Sequence, residues 1–185
     1  MKIRVISGLL LVALALSGCS SSESASTESA SSAKYLAPTT CELPEIVKAF
    51  DDQVKGSVYV PTQWEPAEGT DLYDAINNGG IACTYGIQVA EVGGTVLFAA
   101  LTQEQWDKKK TTWTGFGQTP IDLPGLDESE ALILKEGSTS ADEMHVWGVN
   151  LYINGVWISV NASFLQNIDE AMPIIKAAVN SLQSV

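Results

Sequence analysis

The sequence is short of basic residues, histidine and cysteine, and these shortages exclude several kinds of function. Lys and Arg together number 10 against 22 Asp and Glu, so the formal charge is −12. Binding to a nucleic-acid backbone needs a dense Lys and Arg surface, which excludes nucleic acid as a partner. The single histidine, His145, and the lack of a G-x-S-x-G sequence leave little from which to build a nucleophilic triad. We therefore expect no catalytic residue, no metal site and no cofactor.

The chain also lacks an apolar run at its N terminus that is long enough to cross a membrane. Val5 to Leu16 is about a dozen residues long, whereas a spanning helix needs about 20. The run follows Lys2 and Arg4 and ends in small residues before Cys19. This order is typical of a secretory signal, so residues 1–18 are predicted to be a signal peptide.

The residues at the end of this signal, Leu16-Ser17-Gly18-Cys19, closely resemble the lipobox of bacterial lipoproteins. The resemblance implies that Cys19 carries a thioether-linked diacylglycerol with palmitate-type chains and becomes the new N terminus. The partner is then the membrane, and the location is the extracytoplasmic face of the cell membrane. Because Ser20 rather than Asp follows the cysteine, an outer-membrane address stays open, although a Gram-positive envelope is favoured. Two acyl chains are enough for stable attachment.

The remainder of the chain divides into a tether and a domain. Cleavage removes Lys2 and Arg4 and no acid, which leaves 8 basic and 22 acidic residues and a charge of −14. Residues 20–34 contain eight Ser, no Gly and no Pro, so residues 19–34 are predicted to be a lipidated, disordered tether. A flexible coil of this length spans about 20–25 Å. Residues 35–185 are predicted to form a single globular domain.

The two remaining cysteines favour a disulfide. With Cys19 assigned to the lipid, Cys41 and Cys83 are an even pair in an exported chain. The alternatives are two buried thiols or a metal pair, but sulfurs so far apart in sequence lack the usual spacing of metal ligands.

Hydrophobic periodicity predicts an α+β domain in which about three helices pack on a mostly antiparallel sheet. Helices are expected over 44–54 and over 102–113, the second behind a Thr102/Gln105 capping box. A last helix, capped by Asn167 or Asp169, is expected to run to about Leu182 and to begin at Asp169 or later, so that Pro173 lies in its first turn. A short helical turn is expected over 71–76. Strands are expected over 81–88, 95–101 after a turn at 92–94, 131–135, 144–153 and 156–162. Residues 114–129 are expected to be a loop.

Asn154-Gly155 is a strong signal for a two-residue β-hairpin turn. The turn places Ile153 opposite Val156 and thereby fixes the register. On one apolar face the expected pairs are Leu151 with Ile158, Val149 with Val160, and Trp147 with Ala162. The other face pairs Tyr152 with Trp157 and Asn150 with Ser159.

Four aromatic residues are the candidate ligand-binding residues: Trp106, Trp113, Tyr152 and Trp157. Trp106 and Trp113 share one face of the middle helix beside the basic run 108–110, and aromatics next to cations can recognise an anionic or sugar-like ligand. The alternative is that the tryptophans pack on the sheet and the lysines are solvated. The pair on the hairpin either stabilises the strands or, if no helix covers that face, forms an exposed binding surface.

Carboxylates are numerous and could in principle work in pairs. The clusters are Asp122, Asp127, Glu128 and Glu130, and also Asp71 and Asp74. A carboxylate pair can perform acid and base catalysis on glycosides. In a chain this acidic, a solvated surface is the favoured explanation.

The lipobox, the Ser-rich tether, Cys41 before the first helix and the strand Ala82-Cys83-Thr84-Tyr85 resemble small actinobacterial surface lipoproteins of uncharacterised function. These are related to the extracellular sensor domains of mycobacterial receptor kinases. The resemblance implies a disulfide-tied α+β domain with a cleft and no catalytic residues. The leading hypothesis is a lipid-anchored, non-enzymatic binding or sensor module for a small ligand. The alternatives are a structural lipoprotein that binds an envelope protein and, more weakly, an envelope hydrolase that uses a carboxylate pair.

Overall fold

The computed structural model describes residues 34–136 and 146–185, and in these residues it contains four α-helices and nine strands. The helices are α1 (Pro44–Gln53), α2 (Asp71–Asn77), α3 (Gln103–Gly115) and α4 (Ile168–Asn180). The strands are β1 (Tyr35–Leu36), β2 (Val58–Val60), β3 (Ile81–Ile87), β4 (Val92–Ala100), β5 (Thr119–Pro120), β6 (Ser129–Glu136), β7 (Val146–Ile153), β8 (Val156–Ala162) and β9 (Gln183–Ser184). No helix within these ranges has the length and apolar character to cross a membrane.

Seven of the strands form one antiparallel sheet in the order β2-β3-β4-β8-β7-β6-β5. With its helices and the Cys41–Cys83 disulfide, the domain is an α+β fold, as predicted. The hairpin register is confirmed from Ile153↔Val156 to Gly148↔Asn161. Asn154 and Gly155 both have positive φ, as a tight two-residue turn requires.

The first face of the sheet carries the larger core, beneath α1 and α4. Ile46 and Phe50 of α1 and Ile174 and Ile175 of α4 are fully buried there against the sheet. Pro173 lies six residues into α4, so the prediction that it occupies the first turn was wrong. Pro173 and Asp169 are both exposed, so water can take the place of the hydrogen bond that proline removes.

The second face is covered only in part, by α2 and α3. Next to these helices lie two cross-strand rows, one with Ala99, Trp157 and Tyr152 and one with Leu97 and Ser159. The following row crosses the sheet as Thr84, Thr95 and Asn161 and is partly to fully solvent-exposed. The apolar part of this face is therefore beneath helices, and its polar part is open.

Two glycine positions correct the prediction of a turn at 92–94. These residues belong to β4, and the chain reverses earlier, through a 3-10 turn at Gln88–Ala90 and the left-handed residue Glu91. A Cβ on Gly93 would lie 2.5 Å from the carbonyl oxygen of Tyr85, and one on Gly94 would lie 2.6 Å from that of Asn161. The glycines are therefore required by close strand approach rather than by a turn.

Both edges of the large sheet are short. β2 has three residues and is followed by Pro61. Just after the end of β2, the indole of Trp64 donates to the carbonyl of Ala82 in β3 at 2.8 Å. The opposite edge, β5, has two residues, one of them Pro120. The segment 114–129, predicted to be a loop, is irregular apart from the end of α3, the two residues of β5 and the first residue of β6. Short strands and prolines are devices that prevent edge-to-edge association.

The start and end of the described chain meet at one end of the domain. β1 pairs with β9, and the amide of Lys34 donates to the carbonyl of Asn154 at 3.2 Å. The amide of Leu101 donates to the neighbouring carbonyl of Gly155 at 3.0 Å. The described chain therefore begins beside the turn between β7 and β8, close to the start of α3.

Candidate functional site

The four predicted ligand-binding aromatics lie together between α3 and the sheet. Trp106, Trp113 and Trp157 are 0%, 4% and 0% exposed, and Tyr152 is partly buried in the same cluster. Trp106 stacks on Tyr152 at 5.3 Å between ring centroids, and Trp113 lies 5.4 Å from Trp157. Helix α3 covers these rings, so they do not form the open aromatic surface considered for this face. The tryptophans instead pack on the sheet, which was the alternative stated for them.

The buried indoles are nevertheless held by charged groups on the surface. The indole of Trp113 donates to Asp71 Oδ2 at 2.7 Å, and the indole of Trp106 donates to Glu130 Oε2 at 3.1 Å. Charge-assisted hydrogen bonds of this kind are stronger than neutral ones. They fix the ring orientations and connect α3 to α2 on one side and to β6 on the other.

Lys109 is the centre of the connection between α2 and α3. Its ammonium donates to Asp71 Oδ1 at 2.9 Å and to Asp74 Oδ2 at 2.7 Å. It also lies 5.5 Å from the ring centroid of Trp113 and 4.8 Å from that of Trp157. The Lys109 side chain is 14% exposed, whereas Asp71 and Asp74 are 46% and 47% exposed. The lysine is thus enclosed by two carboxylates and two aromatic rings.

Lys110 forms the second network, on the opposite side of Trp106. It donates to Glu130 Oε2 at 2.6 Å and is 3.0 Å from Asp107 Oδ1. The hydrogen bond from Lys110, helped by the indole of Trp106, holds the pKa of Glu130 below its ordinary value despite partial burial. The same two carboxylates raise the pKa of Lys110. The basic run is therefore not simply a solvated face, because two of its three lysines bind carboxylates on other elements.

A cleft of about 310 Å³ lies between α2 and α3, and Lys109 is part of its lining. Leu101 and Trp113 contribute apolar atoms, and Asp71, Asp74 and Lys109 contribute charges. The remaining lining residues are Gly69, Asn78, Gln105, Lys108 and Thr112. The volume lies at the lower end of the range for small-molecule sites, which combine apolar walls with a few convergent polar groups.

Two other cavities in the described residues have less convergent polar groups. A groove of about 560 Å³ between α1 and β2 includes Lys48 and Asp51, but these pair with Asp52 and Lys55 on and just beyond the same helix. A hollow of about 340 Å³ lies over the turn between β3 and β4. Neither contains residues selected from the sequence as ligand-binding, whereas the cleft between α2 and α3 contains Trp113.

A buried polar chain beneath α3 was not anticipated from the sequence. The indole of Trp157 donates to Asn150 Oδ1 at 2.9 Å, and Asn150 Nδ2 donates to Gln118 Oε1 at 3.0 Å. The hairpin register predicted the Asn150/Ser159 pair on this face. It did not indicate that the side chain of Gln118 would accept a hydrogen bond from Asn150. The chain satisfies groups that would be costly to bury unpaired.

The disulfide links the segment before α1 to the middle of β3. Cys41 and Cys83 are bonded, with 5.3 Å between their Cα atoms. The hydroxyl of Tyr85 donates to the carbonyl of Cys41 at 2.9 Å. Burial, with a smaller contribution from Tyr59, raises the pKa of Tyr85 well above its ordinary value. The predicted pairing is confirmed, and Tyr85 is a second attachment at the same point.

The other residues considered from the sequence are either outside the described part of the chain or distributed over separate surfaces. Cys19 and His145 lie outside the described residues. Within those residues, no group of three or more His, Cys, Asp or Glu side chains is arranged to hold a metal ion. Of the carboxylate clusters, Asp71 and Asp74 share the cleft, while Glu130 lies on the other side of α3 with Trp106 and Lys110.

Comparisons of the chain with protein-family models, with curated proteins and with solved structures give no match.

Proposed function

We propose that the chain is a lipid-anchored, extracytoplasmic binding module that holds a small polar ligand in the cleft between α2 and α3 and does not alter it chemically. The lipobox at Cys19 supports the location and the membrane anchor. The observation that carries the proposed activity is the convergence of Asp71, Asp74, Lys109 and Trp113 on one cleft. Groups placed on two helices and locked by mutual hydrogen bonds form a preorganised site.

The electrostatics of the described residues favour binding over catalysis. Glycoside acid and base catalysis needs a carboxylic acid whose pKa is raised. Each carboxyl group with a displaced pKa, namely Asp51, Asp107 and Glu130, has it displaced downward by hydrogen bonds, the largest of them from a lysine. In the cleft, the ammonium group of Lys109 donates to both Asp71 and Asp74, so these two side chains are already engaged in hydrogen bonds.

One observation supports the alternative of a partner-protein site. Phe116, which caps the C terminus of α3, is 74% exposed. It begins the connection from α3 to β5. A single aromatic side chain can be the anchor of an interface. The two functions use separate residues, so they are separable by mutation.

Native mass spectrometry of the full-length chain, purified in detergent from the organism's own envelope, tests the proposal. We expect a ligand adduct on the wild type that is lost in an Asp74→Asn variant. Asp52→Asn is the matched control, because Asp52 is similarly exposed and also pairs with a lysine, but on α1. A wild type that carries no adduct, or an adduct that Asp74→Asn retains in full, would contradict the proposed site. Cross-linking that depends on Phe116 would then favour the partner-protein function.

A further inference from the structure

The charges in the cleft between α2 and α3 cancel. Its lining includes two carboxylates, Asp71 and Asp74, and two ammonium groups, Lys108 and Lys109. Both carboxylates bond to Lys109, which also lies against two rings. Since the two carboxylates are balanced by the two ammonium groups, and Lys109 is already paired with both carboxylates, the cleft has no unbalanced charge with which to select an anionic or a cationic ligand.

Hydrogen-bonding groups remain available at the rim of the cleft. Asp74 binds Lys109 through Oδ2, and Asn78 uses its Nδ2 on a backbone carbonyl, so Asp74 Oδ1 and Asn78 Oδ1 lack donors among the described residues. Gln105 uses Oε1 in the capping box, which leaves its NH₂ group as a donor. The hydroxyl of Thr112 donates to the carbonyl of Lys108 and can still accept. The rim therefore offers three acceptors and one donor group, beside the apolar atoms of Leu101 and Trp113.

This combination matches the hydroxyl groups of a sugar. A hydroxyl donates to one neighbour and accepts from another, as the mixed rim requires. The C–H face of a sugar ring is apolar and can contact the accessible atoms of Leu101 and Trp113 that line the cleft. At about 310 Å³, the cleft has room for one or two sugar rings rather than for a lipid chain.

The position of the cleft within the domain bears on where the sugar comes from. Leu101, which lines the cleft, is bonded to Gly155, and Lys34 is bonded to Asn154 in the same turn. One lining residue of the cleft is therefore close to the point at which the described chain begins. Because the proposed lipid anchor at Cys19 precedes Lys34 in the sequence by only a short segment, a saccharide at the membrane surface is a ligand that the domain would meet.

We infer that the cleft recognises a neutral saccharide presented close to the membrane, either as the headgroup of a glycosylated lipid or as a soluble oligosaccharide. This inference rests on the proposed function and names its ligand class. The sugar is held by Asp74, Asn78, Gln105 and Thr112 over Leu101 and Trp113.

The first test is a calorimetric titration of the full-length chain in detergent. The probes are three neutral trisaccharides (maltotriose, cellotriose and mannotriose), the anion glucose 6-phosphate and the cation choline. We expect at least one neutral trisaccharide to bind and to lose about tenfold in affinity in a Thr112→Val variant. Thr111→Val is the matched control, because Thr111 makes the same bond to a helix carbonyl but does not line the cleft. Its affinity should equal that of the wild type.

The second test distinguishes the two sources of the sugar. The full-length chain is reconstituted in phosphatidylcholine vesicles with and without a neutral glycosyl-diacylglycerol, and hydrogen exchange is measured across α2 and α3. If exchange slows only when the glycolipid is present, and does not slow in Thr112→Val, the ligand is the headgroup of the glycolipid. Binding of the soluble trisaccharide without such slowing assigns a free oligosaccharide.

The inference is overturned if no neutral trisaccharide or glycolipid binds, if binding is unchanged in Thr112→Val, or if glucose 6-phosphate or choline binds more tightly. An adduct of another chemical class in native mass spectrometry, lost in Asp74→Asn, would overturn the saccharide while the proposed binding function stands. A clean wild-type mass together with no binding of any probe would overturn both.

Discussion

The ammonium group of Lys109 lies 4.8 Å from the centre of the Trp157 ring, and two carboxylates hold it there. This contact joins three parts of the molecule, since Lys109 is on α3, Trp157 is on β8, and Asp71 and Asp74 are on α2. It explains how α3 stays on the sheet even though several of its residues are polar. It also places the cleft, because Asp71, Asp74 and Lys109 all line it.

Replacing Lys109 by Met should lower the free energy of unfolding by about 1–3 kcal/mol. The change leaves Asp71 and Asp74 as like charges without their shared cation, while the aliphatic stem is kept. Added salt should recover part of the loss by screening that repulsion. Urea unfolding followed by tryptophan fluorescence measures the effect. Lys108→Met is the control and should change stability by less than about 0.5 kcal/mol; equal losses in the two variants would refute the role of Lys109.

Glu130→Ala should cost about 1–3 kcal/mol at neutral pH, because the buried indole of Trp106 loses its acceptor. Glu130→Gln keeps an acceptor and should cost less. The pKa of Glu130 is lower in the folded state than its ordinary value of 4.5, so the carboxylate stabilises the fold above that pH. As the pH falls below 4.5 and through the lowered pKa, this contribution should vanish. Wild type and Glu130→Gln should therefore converge in acid, and a pH-independent difference would contradict the ion pair.

Removing the disulfide with Cys41→Ala and Cys83→Ala together should destabilise the domain by about 3–4 kcal/mol. The bond closes a loop between residues 42 positions apart and also positions the carbonyl that Tyr85 binds. Mass spectrometry of the unreduced chain should give one peptide pair containing Cys41 and Cys83. Free thiols at both positions in chain isolated from the envelope would be inconsistent with the structure.

A Cys19→Ala variant should lose metabolic labelling with a radioactive or alkyne-tagged fatty acid, because the predicted diacylglyceryl group has no other attachment point. Ser17→Thr, which keeps Cys19, serves as a control that should retain some labelling. Labelling of the Cys19→Ala chain at the wild-type level would disprove the assignment of the lipobox.

The sequence was informative at several places where a local rule decides the structure, although the rules for Pro173 and for the glycines at 93 and 94 gave wrong predictions. The capping box at Thr102 and Gln105, the Asn154-Gly155 turn and the alternation along β7 and β8 all depend on neighbouring residues, and all are found as predicted. The pairing of Cys41 with Cys83 required only a count of cysteines in an exported chain.

The site was less predictable because it depends on contacts between distant segments. Trp113 and Lys109 lie one helical turn apart on α3, but Asp71, to which both donate hydrogen bonds, is about forty positions away in the sequence. No periodicity in the sequence indicates these hydrogen bonds. Exposure of the aromatic residues depended on whether a helix covers the second face. The structure shows that α3 does, which moves the candidate site from the rings themselves to the polar cleft at their edge.

The indole N–H signals in a ¹H–¹⁵N NMR spectrum of the full-length chain test the central claim most directly. The indole of Trp113 borders the cleft and donates to Asp71, whereas that of Trp64 donates to Ala82 at the far edge of the sheet. On addition of an extract of the organism's envelope, the Trp113 signal should shift in the wild type but not in Asp74→Asn, while the Trp64 signal stays in place. An unmoved Trp113 signal, or a shift confined to Trp64, would contradict a ligand site between α2 and α3.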